Sequence, residues 1–193
     1  NTLVPACARA WRAAGEGPVH SETQPDRNWL LSELQRNRWL GELPQHILSE
    51  FAAIAHVRRL RHGELFAARG SVAPGLGVVL KGAVSASSFS DQGHEFALSM
   101  LEFGDVWGLA AVLDGKGMLR DSRAYGETEI LLLPRADFLA TFERHSMLSR
   151  AFIDLLCQRI RTAHVIIDDL ALRSLRQRLA RLLCALSVVR DDA

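Results

Sequence analysis

The chain has 193 residues, of which 48% are hydrophobic and 23% are charged, and its formal net charge is +1. This length and composition suit one sizeable apolar core. The near-neutral charge excludes a strongly basic nucleic-acid coat over the whole chain, although a local basic patch stays open. The three cysteines, Cys7, Cys157 and Cys184, are too scattered for a disulfide scaffold or a clustered zinc site. No apolar run has the roughly 20 residues that a membrane span needs, so we expect a cytoplasmic protein.

The first part of the chain is predicted to be an extension followed by two helices. Residues 1–26 are rich in Ala, Gly, Pro and Arg and show no clear period. Apolar residues at three- to five-residue spacing then predict a helix from Trp29 to Trp39. Pro44 suits the first turn of a second helix, which we expect to continue through Ile54.

From about His56 the pattern changes to short apolar runs between glycines, which is typical of β-strands. Asp91-Gln92-Gly93 suits a hairpin turn between two of them. We expect positive φ at Gly82 and Gly104, and we expect Pro134 to end the last strand. Strands this short favour a compact antiparallel barrel or sandwich over βαβ units. The candidate strands are Val57–Arg61, Leu65–Ala68, Leu76–Leu80, Ala83–Phe89, His94–Met100 and Glu127–Leu133.

After Pro134 the helical spacing returns. Arg135–Arg144 is predicted to be a short helix, and Ser146 the N-cap of a longer one. The longer helix carries an apolar seam with the a/d spacing of a two-stranded coiled coil. This seam favours a homodimer contact, and the alternative is packing of the helix on its own domain. The seam residues are Ile153, Leu156, Ile160, Ala163, Ile167 and Leu170.

A second leucine stripe follows the seam, and arginines occupy the opposite side of its helix. We predict a hinge at the Asp168-Asp169 pair, between the two patterns. The arginines form a solvated helix face, which we favour, or they contact phosphates. Because the stripe has no apolar partner in this chain, we expect a further domain after Ala193. The stripe consists of Leu172, Leu175, Leu179, Leu182 and Leu186, and the arginines are Arg173, Arg176, Arg178 and Arg181.

The order of these elements resembles the sensor half of the Crp/Fnr family of bacterial transcription regulators, whose barrel has the cyclic-nucleotide-binding fold. The resemblance implies an α+β, mainly β, fold: an antiparallel β-roll or jelly-roll barrel with flanking N-terminal helices and a long C-terminal dimerisation helix. The stretches that carry it are Gly63-Glu64-Leu65-Phe66, Val78-Val79-Leu80-Lys81-Gly82, Phe103-Gly104-Asp105-Val106-Trp107-Gly108, Leu131-Leu132-Leu133-Pro134-Arg135-Ala136-Asp137-Phe138, and Asp169-Leu170-Ala171-Leu172-Arg173 followed by Gln177-Arg178-Leu179-Ala180-Arg181-Leu182-Leu183.

The resemblance also implies a domain order and a function. The order is an extension at 1–26, a sensor domain at 27–145, a dimerisation helix at 146–170, and at 171–193 a hinge with the first helix of a truncated DNA-binding domain. A signal bound in the barrel of a homodimer would reorient a helix-turn-helix domain that binds promoter DNA, with RNA polymerase as a further partner. The alternative is a cyclic-nucleotide-binding regulatory module of a kinase or channel, which the segment after Asp169 disfavours. We find no nucleophile–base pairing and expect no enzyme.

The resemblance further indicates where a cyclic nucleotide would bind. In family members that bind one, a Gly-Glu pair holds the ribose, and an Arg-Ser or Arg-Thr pair holds the phosphate. The corresponding residues here are Gly108-Leu109 and Met118-Leu119. Both polar contacts are therefore replaced by apolar side chains, and we predict that cyclic AMP does not bind tightly.

Other residues of this degenerate effector pocket follow from the same alignment. Arg120 would substitute for the missing arginine if the loop shifts, whereas Arg123 matches a family arginine that is more often structural. Ala163 and His164 match base-contacting positions of the long helix. His164 is either a partly exposed residue beside the dimer interface, which we favour, or a contact to a ligand or haem. We expect no metal site, and the effector stays open between haem, a small apolar molecule and none.

Overall fold

The computed structural model describes residues 25–89 and 95–188. The chain divides into two compact units, Asn1–His145 and Ser146–Ala193. The predictions for residues 1–24 and for the Asp91-Gln92-Gly93 turn lie outside the described residues. None of the helices in the described ranges has the length and apolar character that a bilayer crossing requires.

Two helices precede the strands: α1 at Arg27–Arg36 and α2 at Gln45–Ile54. The prediction that the first helix continues to Trp39 is wrong. The backbone of Asn37 is extended, and its side-chain Oδ1 accepts hydrogen bonds from the backbone N–H groups of Trp39 and Leu40, both at 2.9 Å. This local alternative to the helical ladder ends α1 three residues before Trp39.

The strands of the first unit form one antiparallel sheet, as the sequence predicts. Its strands are β1 His56–Leu60, β2 Leu65–Ala67, β3 Gly75–Phe89, β4 Glu95–Leu101, β5 Val106–Trp107 and β6 Asp121–Pro134. Along the main path of hydrogen-bonded neighbours their order is β1-β6-β3-β4, and β2 pairs with β6 while β5 pairs with β3. The long strands β3 and β6 lie side by side at the centre of this path and pair along most of their length.

The strand bounds differ from the prediction at glycines. Gly82 has the predicted positive φ, +70°, but the strand continues through it, and the β3–β6 register shifts on either side of Lys81. A bulge therefore joins the two predicted strands into β3. Strand β6 starts at Asp121, six residues earlier than predicted, because Gly126 at φ +76° does not interrupt the element. Gly104 has φ +82°, and β6 ends at Pro134, both as predicted.

The core of the first unit lies between the central strands and the helices. Trp107 is 1% exposed and fills the space beside Gly77, where an added Cβ would lie 3.1 Å from both Trp107 Cε3 and Ile130 Cγ2. A short helix, α3, spans Leu109–Asp114. The next helix, α4, spans Arg135–Arg144, as predicted. Its Phe138 is fully buried, and its ring centroid lies 6.0 Å from that of Phe51 on α2.

The second unit contains two helices, α5 at Ser146–Leu172 and α6 at Leu175–Val188. Ser146 is the first residue of α5 rather than the residue before it. The predicted hinge at Asp168-Asp169 is wrong, because α5 continues through both residues and ends at Leu172. Asp169 pairs with Arg173 Nε at 2.6 Å and with Arg181 Nη1 at 2.8 Å, so this carboxylate bridges the two helices.

Candidate functional site

The segment between β5 and β6 is where the resemblance places the ribose-binding and phosphate-binding pairs of a cyclic-nucleotide site. Gly108 leaves β5 with φ +80° and ψ −1°, and α3 begins at the next residue. An added Cβ on Gly108 would lie 3.1 Å from the carbonyl oxygen of Gly75. A side chain at this position would therefore be strained both by the positive φ and by this close contact. Leu109, in the position implied for the ribose-binding glutamate, is fully buried. The position therefore belongs to the apolar core.

Met118 occupies the position implied for the phosphate-binding arginine, and it is 8% exposed. Its backbone is fixed on both sides: its N–H donates to the Ser71 carbonyl at 2.8 Å, and its carbonyl accepts from the Gly70 N–H at 2.7 Å. Leu119, the second residue of that pair, is 70% exposed. One of the two side chains is thus packed in the domain and the other extends into solvent, and neither carries a polar group.

Arg120 has a defined contact across the sheet. Its Nη1 donates to Ser88 Oγ of β3 at 2.6 Å, and both residues are half-buried. Among the side chains that the structure describes, no carboxylate forms an ion pair with Arg120. The adjacent Asp121 accepts the backbone N–H of Arg69 at 2.7 Å through its Oδ1.

The face that carries Arg120 has small side chains. The register pairs Ala86 with Ser122 and Val84 with Ala124, so these residues lie on one face of β3 and β6 in step with Arg120 and Ser88. Trp107 Nε1 donates to Ser122 Oγ at 2.9 Å in a buried position. The result is a row of short side chains with two hydroxyl groups and one guanidinium.

The remaining predicted site residues lie elsewhere. Arg123 faces the other side of β6, and its Nη1 approaches the Gly63 carbonyl at 3.4 Å. Ala163 and His164 lie on α5 in the second unit, and both are exposed. Across the described residues, no group of three or more His, Cys, Asp or Glu side chains is arranged to hold a metal ion.

Sequence reasoning did not identify Ser88 or Ser122 as part of this face. The signal that could have found them is the alternation of Arg120, Ser122 and Ala124, which places every second residue on one side of a strand. That alternation was hidden because the strand was expected to start only after Gly126.

Comparisons with known proteins agree with this architecture. Residues 57–145 match the family model described as the cyclic nucleotide-binding domain. A protein named cyclic AMP receptor protein, from Thermus thermophilus, is 32% identical over 88 residues, which is 46% of this chain and 41% of that protein. The chain therefore spans about two fifths of the length of this curated relative.

Solved structures show the same fold. The Thermus thermophilus catabolite activator protein aligns with a TM-score of 0.61 at 25% identity, covering 69% of this chain and 62% of that one. The sensor domain of the Pseudomonas aeruginosa transcriptional regulator DNR aligns with a TM-score of 0.62 at 19% identity, covering 77% and 98%. The regulatory domain of Toxoplasma gondii protein kinase A, crystallised with cyclic AMP, has a TM-score of 0.59 at 19% identity and covers 70% and 50%. At 19% identity these last two likenesses establish the fold alone.

Proposed function

We propose that the chain is the effector-sensing and dimerisation part of a Crp/Fnr-type transcription regulator. Two findings support this: residues 57–145 match the model of the cyclic nucleotide-binding domain, and 88 residues are 32% identical to a cyclic AMP receptor protein. The barrel would receive a small effector, and the second unit would join two copies of the chain. A DNA-binding domain that begins around residues 171–193 would contact promoter DNA, with RNA polymerase as its further partner. A protein of this kind acts in the cytoplasm.

The observation that carries the proposal of a degenerate pocket is the burial of Leu109 and Met118. A phosphate that leaves water needs charge-assisted hydrogen bonds, and without them its desolvation costs several kcal/mol. Leu109 is 0% exposed and Met118 is 8% exposed, so both side chains are part of the packed interior and neither donates a hydrogen bond. Because the backbone hydrogen bonds of Met118 also fix the segment, we propose that the pocket does not bind cyclic AMP with high affinity.

The homodimer is supported by the exposure of the seam on α5. Ile153, Ile160 and Ile167 are 54%, 57% and 57% exposed, and each is separated from the next by seven residues. In contrast, Leu148 and Phe152 on the same helix are buried. A row of half-exposed isoleucines at heptad spacing matches the surface that a second copy of the helix covers in a two-stranded coiled coil.

The alternative function is a cyclic-nucleotide-binding regulatory module of another effector protein. The likeness to protein kinase A regulatory domains supports the shared fold but does not distinguish the two functions. The second unit favours the transcription regulator, because a separate leucine-rich helix, α6, follows the long helix directly and carries arginines such as Arg176 and Arg178.

Calorimetric titration of the protein with cyclic AMP and, in parallel, with cyclic GMP tests the proposed pocket. We expect no saturable heat with either ligand up to about 1 mM, which corresponds to a binding free energy weaker than about −4 kcal/mol. A micromolar isotherm would overturn the degenerate pocket. Repeating such a titration with Arg120→Ala would then show whether Arg120 had replaced the missing phosphate ligand.

A further inference from the structure

We propose that the sheet face around Arg120 binds the carboxylate of a small organic acid. This inference rests on the proposed function, in which the barrel receives an effector, and it names the chemical class of that effector. The juxtaposition that carries it is a half-buried arginine whose partner across the sheet is the neutral hydroxyl of Ser88, at 2.6 Å.

The guanidinium of Arg120 has unused hydrogen-bonding capacity. An arginine side chain carries several N–H donors in a planar fork and remains charged at all physiological pH values. One of these donors is engaged with Ser88 Oγ, which is uncharged. Removing a cation partly from water is unfavourable unless an anion compensates for the lost hydration. The position therefore has the charge and the free donors of an anion-binding group.

The neighbouring carboxylate does not supply this anion. Asp121 is paired with Ser87 in the β3–β6 register, one position away from the Ser88 that Arg120 contacts. Successive residues of a strand point to opposite faces of the sheet, so Asp121 lies on the other face. There its Oδ1 accepts the backbone N–H of Arg69. Among the side chains that the structure describes, none supplies a negative charge to Arg120, so we infer that a ligand from solution does.

The face next to Arg120 has small side chains at different depths. Val84, Ser122 and Ala124 are buried, so they belong to the interior of the unit. Ala86 and Ser88 are partly exposed, so they are the side chains of this face that a ligand from solution reaches beside Arg120. A small ligand would therefore place its carboxylate at Arg120 and its apolar body against Ala86.

The charge at this position favours a carboxylate over a phosphate. The planar fork of a single guanidinium matches the two oxygens of a carboxylate and balances its single negative charge. Inorganic phosphate or a phosphate monoester carries up to two negative charges at neutral pH and requires additional cations or several backbone donors. Residue 118 is the position implied for the phosphate-binding arginine of the family. Here it is the buried Met118, so this position adds no second cation beside Arg120.

Titrations with acetate, pyruvate, succinate and benzoate test this inference, with inorganic phosphate and cyclic AMP as separate arms. Binding is followed by calorimetry and by the ¹H–¹⁵N signal of the Arg120 side chain, at constant ionic strength because salt screens such contacts. We expect at least one carboxylate to bind saturably with a Kd below about 1 mM. Arg120→Gln should weaken it about 10-fold or more, and Arg120→Lys, which keeps the charge but loses the fork, should weaken it less.

Arg69→Gln is the matched control, because it removes an exposed arginine close to the site and leaves the backbone N–H of Arg69 in place. Its affinity for the carboxylate should stay within about 2-fold of the unmodified protein, since screened surface charges contribute little. Thermal melts followed by circular dichroism establish that each variant is folded before its titration is interpreted.

The outcomes separate this inference from the function on which it rests. Any one of three results would overturn the proposed carboxylate site and leave the proposal of a degenerate pocket unaffected. These results are that no carboxylate binds saturably, that Arg120→Gln and Arg69→Gln weaken binding equally, or that inorganic phosphate binds in preference to every carboxylate. If cyclic AMP binds at micromolar concentration, the proposed degenerate pocket itself is wrong, whatever the carboxylates do.

Discussion

Asn37 connects the end of α1 to the turn before β5 through a single buried side chain. It is 3% exposed, and its Nδ2 donates to the Gly104 carbonyl at 2.8 Å. Its Oδ1 accepts the backbone N–H groups of Trp39 and Leu40. Every polar atom of this side chain is therefore paired, and the same residue both ends a helix and fixes a glycine turn.

Asn37→Ala should lower the free energy of unfolding by about 2–3 kcal/mol, because it leaves backbone groups unpaired where the side chain was buried. Urea denaturation followed by tryptophan fluorescence measures the change. Gln35→Ala, which truncates an exposed amide two residues earlier on α1, is the control and should change the stability by less than about 0.5 kcal/mol. Equal effects of the two variants would contradict the assigned role of Asn37.

Glu50 gives the stability a defined pH dependence. Its pKa is lowered from the ordinary 4.5, chiefly by the hydrogen bond from Arg144, with a smaller contribution from His145 and an opposing one from burial. Arg144 Nη2 lies 2.7 Å from Glu50 Oε2, and His145 Nε2 lies 3.0 Å from Oε1. A carboxylate with a lowered folded-state pKa contributes stability above its unfolded pKa and loses it as the pH falls through the folded pKa.

Glu50→Gln should therefore destabilise the protein at neutral pH, and the difference from the unmodified protein should shrink as the pH falls from the ordinary pKa of 4.5 through the lowered pKa of the folded state. Unfolding free energies from urea titrations between pH 3 and pH 7, in roughly half-unit steps, measure this profile. Glu143→Gln, which replaces an exposed carboxylate on α4, is the control and should change the stability at neutral pH by less than about 0.5 kcal/mol. A destabilisation by Glu50→Gln that stays constant across the whole range would exclude the ionised carboxylate as its cause.

Individual residues differ in how well the sequence predicts them. Gly82 and Gly104 were predicted from local chemistry, because a positive φ after a strand or before an Asp is a property of the glycine itself. The contact between Arg120 and Ser88, which are 32 residues apart in the chain, could not be predicted in the same way, because it depends on the register between β3 and β6. That register is set by the bulge around Gly82, which the sequence does not locate.

At the level of single elements, α6 begins with a capping box. The backbone N–H of Ser174 donates to Gln177 Oε1 at 2.9 Å, and the backbone N–H of Gln177 approaches Ser174 Oγ at 3.4 Å. This reciprocal pair satisfies N–H groups that have no partner within the helix. The break between α5 and α6 is therefore defined at Ser174, five residues after the predicted hinge at Asp168-Asp169.

Ser174→Ala should destabilise the start of α6 by about 1 kcal/mol, the usual effect of losing an N-cap side chain. Hydrogen exchange of the backbone amides in the first turns of α6 measures it, and exchange there should become about 5-fold faster. Ser174→Asp keeps an acceptor at the cap and should preserve protection. If both variants exchange like the unmodified protein, the capping box does not contribute to the helix.

Helices and strands were predicted well where the sequence signal lies within the element itself. They were predicted poorly where pairing with a neighbouring strand determines the structure. The bounds of α4 were predicted to the residue, because Pro134 fixes its start and the apolar spacing continues for a full helix. The short strand β5 was not predicted, because its two residues are a strand only through their pairing with Gly77 and Val78 of β3.

For the molecule as a whole, the assembly that the proposed function requires depends on α5. The seam residues on this helix have a clear heptad spacing, yet within the described chain Ile153, Ile160 and Ile167 remain about half exposed. Exposing such side chains to water is unfavourable, by about 25 cal/mol for each Å² of apolar surface. A second copy of α5 would cover them, and this gives the proposed homodimer a physical cause.

Ile160→Glu should convert that dimer to a monomer, because two copies of the substitution would place like charges opposite each other in an apolar seam. Size-exclusion chromatography with light scattering should give a dimer for the unmodified protein at micromolar concentration and the 21.4 kDa monomer for the variant. We expect the dissociation constant to rise about 100-fold, equivalent to roughly 3 kcal/mol. Gln158→Glu adds a negative charge to an exposed position outside the seam and should leave the dimer intact. A monomeric unmodified protein, or the same dissociation in both variants, would show that the α5 seam does not join two copies.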